Sequence, residues 1–406
     1  MTETIRKTLR DSAPMRWFIM VLVSGLMFAT YWFQDFFSGL KPLMESQLGI
    51  SSSDFGALIG LTTIANVFGM IMIGGMFLDR FGIRWTAVVF GSVVAFGAAL
   101  TAAGAEGMFG EDPATRLNVM IIGRVFFGTG LEVTCVLVTR TIVKWFKGHE
   151  LALAMALNVG FGRAGSAMAT AFSPDIAGDY VPTAVTFAAT LVGAGFIMYL
   201  AYLIFDVKID RQLKETQEPD EPFRLADLGK LLTDKSFIYI TLLCVAFYSA
   251  VFPFMQYAPD LLINKFGFSM QLPDLSNAGF LETVKAWLTN GPKVAALLPL
   301  GTIVFTPIFG SIVDRKGKAA SLMILGSVLL IFAHLALSVF DNVYLGYAGL
   351  LSLGIAFSLV PASMWPSVAK IVPENRLGTA YSTMFTVQNW GLMLFFWGIG
   401  KVLDLV

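Results

Sequence analysis

Long apolar runs recur along almost the whole chain and constrain its fold more than any other feature. A helix that crosses a bilayer needs roughly 20 mainly apolar residues. Eleven runs of about that length lie near residues 15–40, 55–78, 85–105, 117–143, 150–174, 182–205, 236–262, 294–313, 319–340, 343–369 and 378–403. The sequence therefore predicts an all-α membrane protein with eleven visible spans.

The composition supports a membrane protein and excludes several other classes. Of the 406 residues, 56% are hydrophobic and 14% are charged, which is far more apolar than a soluble domain. The formal net charge of +0 provides no basic field for nucleic acid. Cys135 and Cys244 lie far apart in apolar runs, so neither a disulfide nor a thiolate metal site is predicted, and we expect no cofactor. The first run is too long for a removable signal peptide and is predicted to be a retained span.

Basic residues concentrate in the short loops on one side of the predicted spans. They are Arg6, Lys7, Arg10, Arg16, Arg80, Arg84, Lys144, Lys147, Arg315, Lys316, Lys318, Lys370 and Arg376. Cytoplasmic loops are enriched in lysine and arginine. We therefore expect a multi-pass protein of the cell (inner) membrane, with its N-terminus in the cytoplasm.

A polar segment and a repeated motif divide the chain. Residues 206–235 are predicted to be a cytoplasmic linker between an N-terminal half, 1–205, and a C-terminal half, 236–406. Between its second and third spans, each half carries the pattern G-x-x-x-D-R-x-G, at residues 75–82 and 310–317. Repeats at matching hydropathy positions are typical of transporters built from two related halves, with the substrate bound at their interface.

Residues 269–293 form an insertion on the predicted outer side of the C-terminal half. Apolar residues recur within it at helical spacing, namely Phe280, Leu281, Val284, Trp287 and Leu288. The pattern predicts a short interfacial helix. We expect its apolar side to pack on the bundle as an outer cap, and the alternative is a surface for a partner protein.

The two G-x-x-x-D-R-x-G loops, together with Arg124-Val-Phe-Phe-Gly128-Thr-Gly130, resemble the signatures of the major facilitator superfamily. Further sequence elements resemble its lysosomal dipeptide uniporter branch and the bacterial relatives of that branch. These elements are 31–35 (YWFQD), 145–151 (WFKGHEL), 163–166 (RAGS), 250–254 (AVFPF), Trp365-Pro366, 377–381 (LGTAY) and Gln388-Asn389. The resemblance implies two six-helix halves, and hence a twelfth span beyond the eleven visible ones. The fifth span lacks the proline of the antiporter signature, which weakens an antiport interpretation.

Two charges lie well inside predicted spans, Glu132 in the fourth and Arg163 in the fifth. The turn at 145–150 joins these spans, and each of the two residues lies about 13 residues from it. At ~1.5 Å per residue, both are ~20 Å from the turn and therefore at similar depth. Charges inside a span are costly and usually functional. The alternative is a permanent structural salt bridge between the two helices.

In the dipeptide branch, an acidic and a basic residue at this spacing hold the two ends of the substrate. The resemblance therefore implies that Glu132 binds an ammonium group and Arg163 a carboxylate, which are chemically suited to those side chains. Aromatic and amide side chains are the candidates for the cavity wall: Tyr31, Asn66, Phe247, Tyr248, Phe252, Gln256, Trp365, Gln388 and Asn389. Asp35 lies far enough along the first span that we expect it to be solvated near the outer interface. The resemblance also implies gating roles for Asp79, Arg80, Arg84, Asp314 and Arg315.

The sequence thus predicts an alternating-access transporter of dipeptides or related small zwitterions. A proton-coupled carrier of organic anions or drugs is the alternative within transport, and a non-transporting membrane sensor or assembly subunit is the alternative outside it. Catalysis is not expected, because His149 and His334 are remote from each other and no nucleophile, base or metal cluster is visible. No sequence feature identifies an accessory protein.

Overall fold

The computed structural model describes residues 9–213, 229, 231–373 and 377–405. Helices and short connections account for nearly all of this part of the chain, which confirms the all-α prediction. The helices are α1 Ala13–Asp35, α2 Lys41–Leu48, α3 Ser52–Gly60, α4 Ile64–Val67, α5 Met70–Ala105, α6 Pro113–Phe146, α7 Leu151–Ala177, α8 Val181–Leu213, α9 Lys235–Phe266, α10 Phe280–Leu288, α11 Gly291–Ala295, α12 Leu297–Lys316, α13 Ala319–Ser338, α14 Val343–Ile371 and α15 Leu377–Leu403.

Each of the eleven predicted spans falls on these helices. Among the described residues, eight helical segments are long and apolar enough to cross a membrane on length and composition alone. The structure divides the predicted second span, 55–78, because Gly69 adopts a left-handed conformation with φ of 79° between α4 and α5. The second and third spans meet within α5 at Gly82, where φ of 75° and ψ of 178° interrupt the helix. A glycine suits both breaks, since side chains disfavour positive φ.

The helices form two bundles, which meet where α15 packs against α3 and α12 packs against α7. In the N-terminal bundle, α1–α8, the peripheral helix α8 packs against α1, α5 and α7. The C-terminal bundle is α9–α15. If the two bundles are aligned by the repeated motif, the position equivalent to α8 is an apolar crevice of ≈450 Å³ between α9, α13 and α15. Helix α8 continues to Leu213, eight residues into the predicted linker, and residues 214–228 of that linker lie outside the described part.

The two bundles are joined by polar contacts at the side where α1 ends, which we call the outer side. Lys41 Nζ donates to Asp260 Oδ2 at 3.0 Å, and Lys293 pairs with Asp175. The carboxylate of Asp404, just past α15, accepts hydrogen bonds from the amides at the start of α3. Each of these contacts links one bundle to the other, so the outer side is closed.

The segment 269–293 lies on this outer side and contains the predicted helix, α10. Its apolar residues are exposed, and no residue of α10 is buried. The expectation that this helix packs its apolar side on the bundle is therefore wrong for most of that side, and only Trp287, at its edge, meets the bundle through Phe172. The reason is that its bundle side carries the small residues Thr283 and Ala286, which are less exposed.

Candidate functional site

Glu132 on α6 and Arg163 on α7 occupy the interior of the N-terminal bundle. Both side chains are only partly buried. Tyr31 of α1 lies within electrostatic range of both charges. Its ring packs beside α7 at Gly162, where an added Cβ would meet the Tyr31 ring at 3.4 Å. Three helices thus bring an acid, a base and a phenol to one region.

Glu132 and Arg163 are not paired with each other. Within the described part of the chain, ion pairs form elsewhere, and Glu132 has neither a hydrogen bond nor an ion pair. The permanent salt bridge considered from the sequence is therefore absent between these two side chains. Both remain available to a charged ligand, because each keeps surface that water can reach.

Arg163 reaches the C-terminal bundle through an aromatic contact. Its guanidinium carbon lies 4.6 Å from the ring centroid of Phe357 on α14. Phe357 meets Phe252 edge-on at 5.6 Å between centroids, and Phe252 stacks on Tyr248 at 5.2 Å. The Tyr248 hydroxyl accepts a hydrogen bond of 3.0 Å from the indole of Trp365. These rings form a continuous aromatic wall that faces Arg163.

One of the predicted wall residues, Gln256, joins the two bundles through Asp35. Gln256 Nε2 donates to Asp35 Oδ1 at 2.7 Å, across the bundle interface. Asp35 is partly buried and within electrostatic range of Arg163. The expectation that Asp35 is solvated is therefore wrong, since α1 ends inside the protein and its last turn is covered by α9. The Asp35–Gln256 contact closes the outer end of the region around Arg163.

The remaining predicted wall residues lie in the protein core. Phe247 is buried against Tyr248, and Gln388 accepts from the Cys244 thiol at 3.3 Å. Asn389 donates to the Phe385 carbonyl of its own helix. Asn66 is 3% exposed, and its Oδ1 has no partner among the described atoms. The structure thus links Phe252, Tyr248 and Trp365 to Arg163 through Phe357, whereas these four make their contacts elsewhere. Tyr31 and Asp35, the partner of Gln256, lie within electrostatic range of Arg163.

Sequence reasoning missed residues of two kinds. Phe357 completes the aromatic wall, but one phenylalanine among 36 has no distinguishing signal. Arg124 on α6 is fully buried and donates to Thr62 Oγ1 at 2.9 Å and to the Phe33 carbonyl at 2.8 Å. It holds the end of α1 in place, and its charge inside a span was a signal that could have been used.

The predicted gating residues lie at the opposite side from the outer closure. Asp79 pairs with Arg140, and Arg84 pairs with Asp206 through Nε at 2.8 Å. Both pairs connect helices of the N-terminal bundle. Arg80 lies over the Phe81 ring at 5.4 Å, and Arg315 is exposed at the end of α12. The side chain of Asp314 lies outside the described residues.

Comparison with known proteins decides the family. The family model described as Major Facilitator Superfamily matches residues 18–396. This chain belongs to the major facilitator superfamily. It is accordingly a multi-pass membrane transporter of small molecules and not an enzyme.

Relatives and solved structures agree with that family. The lysosomal dipeptide transporter MFSD1 of Bos taurus is 29% identical over 399 residues, which cover 95% of this chain and 79% of the relative. The Homo sapiens protein of the same name is 29% identical over 402 residues, 96% of this chain and 80% of the relative. The nucleoside transporter NupG superposes with a TM-score of 0.67 at 15% identity, covering 96% of this chain and 91% of NupG. The E. coli xylose transporter XylE in an inward-open conformation gives a TM-score of 0.64 at 15% identity, over 95% of this chain and 89% of XylE.

Proposed function

We propose that this transporter carries dipeptides or related small zwitterions, with the substrate ammonium on Glu132 and the substrate carboxylate on Arg163. The single observation that carries the proposal is that these opposite charges share one region of the interior without pairing. Charges in a membrane interior are costly when unpaired. A zwitterion offers each of them a partner, so its binding recovers free energy that the empty protein lacks.

The aromatic wall supports a peptide as the zwitterion. The Phe357 ring lies against Arg163, and the aromatic wall continues from it through Phe252, Tyr248 and Trp365. An aromatic wall suits the side chains that flank the charged ends of a peptide. The curated relatives named as dipeptide transporters match nearly the whole chain. We infer the same substrate class here, because the charges that the class requires are present and accessible.

The outer closure fits one state of an alternating-access cycle. We propose that the two bundles, divided near residues 206–235, rock about the central site, so that contacts such as Lys41–Asp260 form in one state and separate in the other. The basic loops favour a cytoplasmic N-terminus, and we propose that the membrane is a cell inner membrane. On this orientation, the described structure is closed to the outside. Asp79, Arg80, Arg84, Asp314 and Arg315 then lie at the cytoplasmic gate.

Thermal unfolding of the purified protein tests the substrate class, because a ligand that binds only the folded protein raises its stability. The ligands are a dipeptide, its N-acetylated form, its C-terminal amide, a single amino acid and a dicarboxylate. We expect the free dipeptide to raise the unfolding temperature and both blocked forms to lose most of that effect. Glu132→Gln is expected to lose discrimination between the free and N-acetylated forms, and Arg163→Met between the free and amidated forms.

The controls separate ligand binding from general damage. Met168→Ala alters an exposed residue on the same helix as Arg163 and should behave as wild type. If dicarboxylates stabilise the protein and dipeptides do not, the peptide assignment is wrong and an organic-anion carrier is favoured. If no ligand acts and no solute is taken up by proteoliposomes, the sensor alternative is favoured.

A further inference from the structure

Helix α10 carries an apolar face that the protein does not cover. Phe280 and Leu281 are 82% and 79% exposed. At ~100° per residue, the five apolar side chains of this helix span an arc of ~120° centred on Val284. Thr283 and Ala286, the less exposed residues, lie ~100° and ~160° from that centre. Phe280 and Leu281 therefore point away from the bundle, whereas Trp287, at one edge of the apolar arc, meets it through Phe172.

Two contacts fix the depth of this helix relative to the spans. The Leu288 carbonyl accepts a hydrogen bond from the Tyr347 hydroxyl, and Tyr347 lies four residues inside α14, or ~6 Å along it. The Trp287 ring meets Phe172 edge-on at 6.2 Å, and Phe172 lies five residues, or ~7.5 Å, inside the outer end of α7. The C-terminal end of α10 thus lies level with the outermost turns of the spanning helices.

A face at this depth that points away from the protein meets lipid. Leu297 and Leu300 are also exposed at the outer end of α12. Exposed leucines on a spanning helix face lipid, so the apolar residues of α10 extend the same kind of surface. Its polar side carries one acid and one base, Glu282 and Lys285. Without a net charge, the helix would be held by burial of apolar area and not by attraction to anionic lipids.

We propose that α10 is seated in the outer leaflet, with Phe280, Leu281, Val284 and Leu288 at the boundary between headgroups and acyl chains. The helix leads directly into Lys293, which donates to the Ala171 carbonyl at 2.7 Å and pairs with Asp175 across the bundles. Trp287 lies over the Lys293 ammonium, with 5.5 Å from the Nζ atom to the ring centroid. The leaflet thereby anchors one of the contacts that close the outer side. This inference does not depend on the substrate.

Spin-label accessibility in proteoliposomes tests the proposal. Leu281→Cys and, as a matched control on the polar side of the same helix, Lys285→Cys are labelled with a nitroxide in the full chain, and the chain without an added cysteine gives the background. Vesicles of phosphatidylcholine alone are compared with vesicles that also contain phosphatidylglycerol. Collisions with oxygen report lipid, and collisions with a water-soluble nickel chelate report water.

We expect the label at 281 to be relaxed by oxygen at least severalfold more than by the nickel chelate, and the label at 285 to show the reverse. The result should be the same in both lipid compositions. Strong relaxation of the 281 label by nickel would place α10 in water and overturn the proposal. Protection of the 281 label from both reagents would mean that protein, such as a partner or a second copy, covers the face, and this would overturn it as well.

Discussion

The interior of this transporter contains two sets of opposite charges, one of which forms an ion pair and one of which does not. Lys41 and Asp260 are 2% and 5% exposed, and their charged atoms meet at 3.0 Å across the bundle interface. Glu132 and Arg163 are partly exposed, and within the described structure they do not pair. The first pair satisfies its charges by closing the outer side. The second leaves its charges to be satisfied by something that enters.

The difference follows from which elements carry the charges. Lys41 is on α2 and Asp260 on α9, so their pair exists only while the two bundles meet on the outer side. Glu132 and Arg163 lie on α6 and α7 of one bundle and keep similar depth whatever the bundles do. A gate needs a contact that conformational change breaks, whereas a binding site needs charges whose arrangement persists.

The largest effect is expected when the Lys41–Asp260 pair at the outer gate is disrupted. Lys41→Met leaves Asp260 buried, with only Asn264 donating to it at 3.0 Å. Removing one member of a buried ion pair costs ~3–5 kcal/mol, so the outer-closed state should lose most of its advantage. We expect Thr170→Cys, at a buried position near the outer closure, to react with an impermeant maleimide at least tenfold faster in the Lys41→Met background.

The matched double variant makes that prediction sharper. Lys41→Met with Asp260→Leu removes both buried charges, and apolar replacement of a buried pair is often neutral. Glu45, which also pairs with Lys41 at 2.7 Å, is partly exposed and keeps its hydrogen bond from the Ser52 hydroxyl in both variants. The labelling rate should return close to that of the chain with Thr170→Cys alone. If the single and double variants label equally fast, loss of packing and not an unpaired charge explains the effect, and the gate role of this pair is wrong.

A smaller effect is expected at the contact between Arg163 and Phe357. An arginine over an aromatic ring gains ~0.5–2 kcal/mol, and the ring also orients the guanidinium toward the cavity. Phe357→Leu should therefore weaken binding of a free dipeptide roughly 2- to 30-fold, measured by calorimetry or by displacement. Phe357→Tyr should restore it. The C-terminal amide of the same dipeptide should lose much less affinity, since it does not engage Arg163 as a carboxylate.

Equal losses for the acid and the amide would contradict this role. They would show that Phe357 supports the general shape of the cavity and does not position Arg163. The contrast between the paired charges of the gate and the unpaired charges of the binding site would then depend on Glu132 and Arg163 alone.

Hydropathy and the repeated motif were sufficient to predict the helical spans and the family, because lipid imposes a length and an apolar composition on every span. Charge inside a span singled out Glu132 and Arg163, although the same criterion applies to Arg124, and the binding role of the first two stays a prediction. The same pattern could not predict which charges pair, because Lys41 and Asp260 are 219 residues apart and meet only in the folded protein. Nor could it predict that Asp35 is covered, since this depends on where α9 passes the end of α1.

The smallest effect concerns Asp404, whose carboxylate joins the outer end of α15 to α3. Asp404 accepts from the Ser53 hydroxyl and from the Ser53 and Ser52 amides, and these hydrogen bonds hold the pKa of Asp404 below its usual range. A lowered pKa means that the contact contributes fully above the ordinary aspartate pKa, ~3.9, and is lost as the pH falls through the lower value in the folded protein. Maleimide reacts with the thiolate, so each labelling rate at Thr170→Cys is divided by that of a free thiol at the same pH. This normalised rate should be insensitive to Asp404 protonation between pH 7 and pH 5 and should rise only at more acidic pH, by roughly twofold, as expected for an exposed contact. Asp404→Asn should raise this rate by a similar factor at neutral pH and remove its dependence on acid. If the rate in the Asp404→Asn variant still rises in acid as it does with Asp404 present, another group is responsible for the titration.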